Sequence, residues 1–409
     1  QVIDIELPPI VRFERQGGGK DAVDRAAKLL SEAKFPVILS GAVVFIGDAI
    51  DDCKKLAEKL DAPVCNGYQH NDSFPGSHPL AVGPLGYNGS KAAMELISKA
   101  DVVLALGTRL NPFSTLPGYG IDYWPKDATI IQVDMNPDRI GLTKKVTVGI
   151  CGDAKMVAQQ ILEKLSSNAG DNGREDRKNL IHQTKSAWLQ TLTSLDHEDD
   201  DPGTVWNKEA RERDKDRMSP RQAWRAIQDA LPQDAIISSD IGNNCAIGNA
   251  YPTFEKPRKY LAPGLFGPCG YGFPAILGAK IGCPDTPVVG FAGDGAFGIS
   301  MNEMSSCARE EWPAITMVIF RNYQWGAEKR NSILWFDDNF VGTELDPELS
   351  YAKVANACGL KGVTCKTMEE TTKAIKQSCE DQKKGITTFI EIILNQELGE
   401  PFRRDAMKK

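Results

Sequence analysis

The apolar residues in the first part of the chain form short runs that alternate with amphipathic stretches. Three runs have the character of buried parallel strands, namely residues 35–44, 101–110 and 128–137. Between the first two runs, apolar residues recur at helical spacing at Ile50, Cys53, Leu56, Ala57 and Leu60. A second helix is expected over residues 154–165. This alternation predicts a doubly wound parallel sheet over residues 1–165.

Residues 166–217 differ in character, because polar and charged residues dominate there. One amphipathic helix is predicted inside this segment, with an apolar face formed by Ile181, Trp188, Leu192 and Leu195. The acidic residues 198–201 lack the alternating ligand positions of a calcium loop, so we expect a solvated turn. The segment is interpreted as a charged linker that contains one docked helix.

A second alternating pattern covers residues 218–395 and leaves a polar tail at residues 396–409. Ser219 can cap a first helix and Pro220 fits its first turn. A strand ending at Asp240 and a glycine-rich loop follow, and then a strand over residues 288–291, a helix over 301–310 and a strand over 315–320. The predicted fold class is therefore α/β, with two doubly wound parallel-sheet domains joined by the charged linker.

Composition argues against several classes of function. The net charge of -7 and the absence of a basic stripe argue against nucleic acid as the main partner. No apolar run approaches the roughly eighteen residues of a membrane span, so we expect no membrane partner. The ten cysteines form no CxxC pair and the four histidines form no ligand pattern. These features predict reduced thiols, a cytoplasmic protein and no zinc site.

Two polar residues follow adjacent predicted strands of the second domain. Asp294 lies in a turn between Gly293 and Gly295, and Asn322 follows the next strand twenty-eight residues later. Parallel strands end at a shared sheet edge, where open α/β folds bind ligands. One carboxylate and one amide oxygen suit a Mg2+ ion that takes its other ligands from a phosphate compound and water. The glycines would let a diphosphate approach the N–H groups of Gly295 and Ala296.

Three separated motifs agree in order and spacing with a known family. They are SSDIGNN at residues 238–244, GLFGPCGYGFPA at residues 264–275, and the GDG turn with Asn322. Together they resemble the diphosphate-binding domain of thiamine diphosphate enzymes of the acetolactate synthase and pyruvate oxidase type. Residues 1–165 are similar to the central Rossmann-like domain of that superfamily. More narrowly, residues 320–345 and the tail over 399–409 resemble the sulfoacetaldehyde acetyltransferase family.

The resemblance implies thiamine diphosphate and Mg2+ as cofactors, and it implies the residues that bind them. The Mg2+ ligands would be the side chains of Asp294 and Asn322 and the main-chain oxygen of Gln324. The other cofactor contacts would be Gly242, Asn243, Asn244, Gly267, Cys269, Gly293, Gly295, Ala296, Trp325 and Gly326. In place of Cys269, relatives have a bulky apolar residue that supports the bent conformation of the cofactor. Here either Phe266 or another side chain supplies that support, or the sulfur of Cys269 suffices.

The resemblance also implies the reaction. Sulfoacetaldehyde and inorganic phosphate would become acetyl phosphate and sulfite, with the acetyl group passing through the cofactor. Because both substrates are anions, Arg321, Arg403 and Arg404 are candidates by position for binding them. A homo-oligomer, a dimer or tetramer, is expected for the full-length form. An acetolactate synthase-like or 2-oxoacid decarboxylase enzyme, and a non-catalytic binding subunit of the same fold, are the alternatives.

Two features of the chain stand apart from the family pattern. The activating glutamate of the family belongs to an N-terminal pyrimidine-binding domain, which this chain is expected to lack. We therefore expect the 409-residue chain to be a fragment with little or no activity alone. Gly41, Gly107 and Asp134 lie at predicted strand ends where nucleotides often bind, but no GxGxxG motif accompanies them. A nucleotide site in the first domain is left open.

Overall fold

The computed structural model describes residues 9, 14–195, 212–264, 266–309, 311–337 and 339–398. Within them the chain forms two six-stranded sheets. Every strand pair within these two sheets is parallel. This arrangement confirms the predicted α/β class with two doubly wound sheets. We call the parts built on these sheets the first unit and the second unit.

The first unit contains six strands and five helices that surround its apolar core. The strands are β1 Pro36–Ser40, β2 Val64–Asn66, β3 Ala81–Pro84, β4 Val102–Leu106, β5 Thr129–Asp134 and β6 Val148–Cys151. The helices are α1 Lys20–Glu32, α2 Ala42–Ile46, α3 Ile50–Leu60, α4 Lys91–Ile97 and α5 Ala154–Lys164. The strand order is β3-β2-β1-β4-β5-β6. The order reverses between β1 and β4, where folds of this kind open a ligand crevice.

The apolar pattern predicted the three longer strands of this sheet and missed the three shorter ones. β2, β3 and β6 contain three or four residues each, too few to show a pattern of their own. The first predicted strand also ends earlier than expected, because the chain turns at Gly41 into α2. A Cβ on Gly41 would clash with the carbonyl oxygen of Gly107, so this turn requires glycine.

Helix α6, Arg174–Leu195, lies in the segment for which one helix was predicted. Three residues of its predicted apolar face are buried: Ile181, Trp188 and Leu192. The side chain of Leu195 and the acidic residues 198–201 lie outside the described residues. The buried guanidinium of Arg177 donates hydrogen bonds to five main-chain oxygens, which anchors the helix to the first unit.

The second unit contains a six-stranded sheet with the order β11-β12-β10-β9-β7-β8, where the numbering follows the chain. Its strands are β7 Ile236–Ser239, β8 Tyr260–Leu261, β9 Val288–Gly293, β10 Thr316–Arg321, β11 Lys361–Cys365 and β12 Thr388–Ile393. Its helices are α7 Pro220–Gln228, α8 Asn243–Ile247, α9 Gly272–Gly282, α10 Asp294–Ser300, α11 Met304–Cys307, α12 Gly326–Trp335, α13 Tyr351–Ala357 and α14 Met368–Gln382. Across the described ranges, no helix is both long enough and apolar enough to span a membrane.

The crossover between β9 and β10 differs from the prediction at its start. A helix was predicted over residues 301–310, but α10 begins at Asp294, directly after β9. A 3-10 turn over Met301–Glu303 then leads into α11. The sequence pattern did not predict α10, because Gly295 and Gly298 are weak helix formers. The consequence is that Asp294 itself lies at the positive end of a helix.

Polar loop residues join the two units. Asn71 donates hydrogen bonds from Nδ2 to the main-chain oxygens of Asn249 and Pro252, each at 2.9 Å. Asp72 accepts a hydrogen bond from the N–H of Lys259 at 2.9 Å. These contacts bring the loops that follow β2 and β3 next to α8 of the second unit.

Candidate cofactor site

Asp294 and Asn322 lie at the same edge of the second sheet. β9 and β10 pair in parallel with Gly293 opposite Phe320. Asp294 therefore directly follows one strand, and Asn322 lies just beyond the end of the other. Both residues are buried, with exposed fractions of 1% and 2%. The crossover thus brings together the carboxylate and the amide that were predicted to bind Mg2+.

One carboxylate oxygen of Asp294 is held by the protein itself. Oδ2 accepts hydrogen bonds from Nη1 of Arg321 at 2.9 Å and from the N–H of Tyr323 at 2.6 Å. Oδ1 accepts the N–H of Gly295 at 3.0 Å and has no charged partner among the described residues. Burial raises the pKa of Asp294 to about 6, although Arg321 and these hydrogen bonds oppose the rise. Oδ1 is therefore the carboxylate oxygen better placed for a metal ion.

Four buried polar atoms at this edge have no hydrogen-bond partner within the described part of the chain. They are Asn322 Oδ1, Gln324 Oε1, Asn243 Nδ2 and Asn244 Oδ1. An unsatisfied buried polar group costs about 1–3 kcal/mol, so several in one region indicate a bound group that satisfies them. An amide oxygen beside a carboxylate suits Mg2+, and an amide N–H suits a diphosphate. The residues present therefore fit the cofactors that the resemblance implies.

Two of the predicted backbone contacts serve the turn instead of facing a ligand. The N–H of Gly295 donates to Asp294, and the N–H of Trp325 donates to the carbonyl oxygen of Thr343 at 2.8 Å. The Trp325 ring covers Gly295 so closely that a Cβ there would lie 2.8 Å from a ring carbon. For Gly295 this differs from the expectation that its N–H group faces the diphosphate, and the contact of Trp325 with the cofactor stays a prediction.

Two of the other predicted glycines, Gly242 and Gly293, have open space beside them. Gly242 has a φ of 125°, which favours glycine, and a Cβ on it would meet nothing within 4 Å. The same open space surrounds Gly293. A Cβ on Gly326 would lie 3.1 Å from Asn243 Nδ2, so the first turns of α8 and α12 lie side by side. Ala296 is buried in the first turn of α10.

Asp240 orders the glycine-rich loop, and sequence reasoning gave it no role beyond ending a strand. Its Oδ1 accepts the N–H of Gly270 at 3.1 Å, and its Oδ2 accepts the N–H of Gly272 at 2.7 Å. Burial raises the pKa of Asp240, and these hydrogen bonds oppose that rise. Carboxylates with several N–H donors are common organisers of tight loops, but only the folded structure shows which loop is held.

The sequence left open whether Phe266, another side chain or the sulfur of Cys269 supports the cofactor. Cys269 is exposed and is not among the residues that line the neighbouring cavity. Phe266 lines the cavity but is 93% exposed. Ile241 lines it as well and packs against Gly267, on which a Cβ would lie 3.4 Å from the Ile241 side chain. Ile241 is therefore the better placed bulky apolar side chain.

A cavity of about 350 Å³ opens next to Gly242, Asn243 and Gly267. Both units form its walls, which consist otherwise of Tyr68, Tyr87, Phe113, Ile241, Ala246, Gly264, Phe266, Ala327, Arg330, Asn331 and Trp335. Its volume is that of a small-molecule site. Sequence reasoning missed the residues from the first unit, because no motif links them to the second unit.

Of the predicted anion-binding arginines the structure describes Arg321, which is not among the residues that line this cavity. Arg321 is fully buried, and besides Asp294 it contacts the main-chain oxygens of Asp346 and Leu349. Its Nε lies 3.9 Å from Oε1 of Glu391. These contacts make Arg321 a structural ion-pair residue, which corrects the prediction that it meets a substrate. The other two candidates, Arg403 and Arg404, lie outside the described residues.

The strand ends of the first sheet line a separate cavity of about 790 Å³. Gly107 and Asp134 are among its residues, together with Arg109, Arg139 and Arg258. A nucleotide site at this position stays a prediction.

Comparisons with known families agree with this arrangement. Residues 23–161 match the family described as thiamine pyrophosphate enzyme, central domain. Residues 240–392 match the family described as thiamine pyrophosphate enzyme, C-terminal TPP binding domain. The second match includes Asp294, Asn322 and Gln324.

Comparisons with curated proteins are more specific. A probable sulfoacetaldehyde acetyltransferase of Rhizobium meliloti is 78% identical over all 409 residues, which cover 69% of that protein. The sulfoacetaldehyde acetyltransferase of Roseovarius nubinhibens is 75% identical over the whole chain, which covers 68% of it. A probable acetolactate synthase large subunit of Methanococcus aeolicus is 28% identical, over 87% of this chain and 58% of that protein. These identities confirm the predicted resemblance, and the chain belongs to the sulfoacetaldehyde acetyltransferase family of thiamine pyrophosphate enzymes.

Proposed function

We propose that this chain holds the cofactors of an acyltransferase that converts sulfoacetaldehyde and inorganic phosphate into acetyl phosphate and sulfite. The observation that carries the proposal is the pairing of Asp294 with Asn322 at one sheet edge, inside the match to the TPP binding domain. The relatives named sulfoacetaldehyde acetyltransferase are 45–78% identical over the whole chain. The acetolactate synthases are 28% identical, which favours acetyl transfer over that alternative.

In this proposal the sheet edge holds Mg2+ and thiamine diphosphate. The metal ion would be bound by Oδ1 of Asp294, Oδ1 of Asn322 and the main-chain oxygen of Gln324. The buried Oδ1 of Asn322 supports this, because it has no hydrogen-bond partner within the described residues. Asn243, whose buried Nδ2 has no partner within the described residues, would donate a hydrogen bond to the diphosphate. Asn244 stays a predicted contact, because its unpaired atom Oδ1 is an acceptor. Arg321 would not bind the metal ion itself. Its ion pair with Asp294 would fix the orientation of the carboxylate that does.

The chain's own residues would orient and shelter the reactants. When bound, thiamine diphosphate supplies a nucleophilic carbon and an electron sink, which cleavage of the carbon–sulfur bond in sulfoacetaldehyde requires. The cavity beside Gly242 and Gly267 would receive the aldehyde. Its aromatic walls, which include Tyr68 and Phe113 stacked at 5.5 Å, would exclude water and strengthen electrostatic contacts inside.

The experiment is a product assay on the holoenzyme that contains this chain. The proposal predicts sulfite and acetyl phosphate in equal amounts, formed only when phosphate, Mg2+ and thiamine diphosphate are all present. Carbon dioxide released from pyruvate, without sulfite from sulfoacetaldehyde, would instead support the acetolactate synthase or decarboxylase alternative. Failure to bind thiamine diphosphate would support the non-catalytic subunit.

The assembly and compartment are proposed separately. We propose a homo-oligomer located in the cytoplasm, and the ten free thiols support a reducing compartment. Light scattering coupled to size-exclusion chromatography measures the assembly, and a mass of one chain would contradict it.

A further inference from the structure

Arg330 is the charged side chain of the cavity beside the candidate cofactor site. The other described residues that line this cavity are glycines or carry apolar, aromatic or amide side chains. Arg330 is only 7% exposed, although it lies on the surface helix α12. Placing a guanidinium among such groups is costly unless polar partners compensate for the lost hydration. Arg330 therefore brings a positive charge to a cavity wall whose other described residues are uncharged.

Hydrogen bonds through Tyr87 fix the guanidinium in place. Nη1 of Arg330 donates to Oη of Tyr87, and Cζ of Arg330 lies 5.8 Å from the centroid of that ring. Oη of Tyr87 donates in turn to Oδ1 of Asn243 at 3.3 Å. Asn243 is a predicted diphosphate contact and lines the same cavity. The three side chains therefore connect the first unit, α12 and the cofactor edge.

The reactants of the proposed function are small anions that carry a tetrahedral oxyanion. A planar guanidinium has five N–H donors in a fork that matches two oxygens of such a group, so one arginine can contact protein partners and an oxyanion at the same time. An anion that enters a largely apolar cavity needs a nearby cation to replace its hydration. Within the described lining, Arg330 supplies that charge.

We infer that Arg330 binds the tetrahedral oxyanion of a substrate, either the sulfonate of sulfoacetaldehyde or inorganic phosphate. This inference rests on the proposed function and names the group that recognises an anionic reactant. Tyr87 is a positioning residue, because it acts by holding Arg330. The arrangement also explains why the cavity is formed by both units, since Tyr87 comes from the loop after β3.

The test compares Arg330→Gln and Arg330→Lys with the parent holoenzyme. Arg309→Gln is the matched control, because it removes the same charge from an exposed position. Sulfite release is measured with sulfoacetaldehyde varied at saturating phosphate, and then with phosphate varied at saturating sulfoacetaldehyde. Calorimetric titration of thiamine diphosphate with Mg2+ present gives the cofactor affinity of each variant without any reaction.

The expected result is that Arg330→Gln raises the KM of one anion by about 10- to 100-fold, the range for losing a charge-assisted hydrogen bond. A rise for sulfoacetaldehyde identifies the sulfonate, and a rise for phosphate identifies phosphate. Arg330→Lys keeps the positive charge but loses the planar guanidinium, so its KM should lie between those of the parent and Arg330→Gln. It also serves as the test if Arg330→Gln does not fold. Cofactor affinity should stay within about twofold of the parent.

Two results would overturn the inference. One is a KM within about twofold of the parent for both anions in the Arg330→Gln variant. The other is a loss of cofactor affinity as large as the loss of kcat/KM, which would make Arg330 a structural residue. A parent holoenzyme that releases no sulfite would contradict the proposed function instead. Calorimetric titrations of inorganic phosphate and of sulfoacetaldehyde into parent and Arg330→Gln protein then decide about Arg330, and equal affinities of the two proteins for both anions would refute its role.

Discussion

Asp294 is expected to make the cofactor-free protein less stable as the pH rises. Its carboxylate is buried beside Arg321, and desolvation raises its pKa from 3.8 to about 6. Between these two values the folded protein binds a proton that the unfolded chain has already lost. The stabilisation from this proton is fully present below about pH 4 and is lost as the pH rises through about 6.

The size of the effect follows from the two pKa values. The difference between 3.8 and about 6 corresponds to about 3 kcal/mol of unfolding free energy. Asp294→Asn keeps the shape of the protonated side chain and cannot ionise. The unfolding free energy of the variant, relative to the parent, should therefore increase by about 2–3 kcal/mol between pH 4 and pH 8.

Urea unfolding in the presence of a metal chelator measures this difference at each pH. Asp48→Asn is an informative control, because Asp48 is exposed and its hydrogen bond to Lys155 lowers its pKa. Its difference from the parent should stay nearly constant between pH 4 and pH 8, because a carboxyl with a lowered pKa changes the unfolding free energy only below about pH 4. A difference for Asp294→Asn that also stays constant over this range, or that decreases as the pH rises, would refute the reasoning about burial.

Two further substitutions test the packing around the same turn. Gly295→Ala would place a Cβ 2.8 Å from the Trp325 ring and should destabilise the protein by about 1–3 kcal/mol. Gly293→Ala, where a Cβ meets nothing within 4 Å, is its control, and equal urea midpoints for the two variants would contradict the clash. Tyr351→Phe removes the hydrogen bond from Oη to the carbonyl oxygen of Asp294 at 2.8 Å and should cost about 1 kcal/mol of unfolding free energy. An unchanged urea midpoint would show that this buried bond adds no stability.

The sequence alone was sufficient to place Asp294 beside Asn322. The two strands are continuous apolar runs, and the distance between them suits one crossover, so their ends had to meet at one edge. The same reasoning could not orient Arg321, the last residue of β10. Its guanidinium points into the protein because it forms ion pairs there with Asp294 and Glu391, and both of these residues are distant in sequence.

Arg330 illustrates the other limit of sequence reasoning. Its neighbours along the chain describe an ordinary charged helix, in which an arginine is expected to face solvent. The partner that holds it, Tyr87, lies 243 residues away in a loop of the other unit. Only the docking of the two units brings this pair together, and nothing in a single sequence records that docking.

The central claim is that the edge formed by Asp294 and Asn322 holds thiamine diphosphate through Mg2+. Calorimetric titration of thiamine diphosphate into cofactor-free protein tests it most directly, with parent, Asn322→Ala and the exposed control Asn302→Ala compared with and without a metal chelator. We expect metal-dependent binding to the parent and the control, and binding at least about tenfold weaker in Asn322→Ala because a metal ligand is lost. Binding that survives the chelator, or an Asn322→Ala variant with the affinity of the parent, would contradict it.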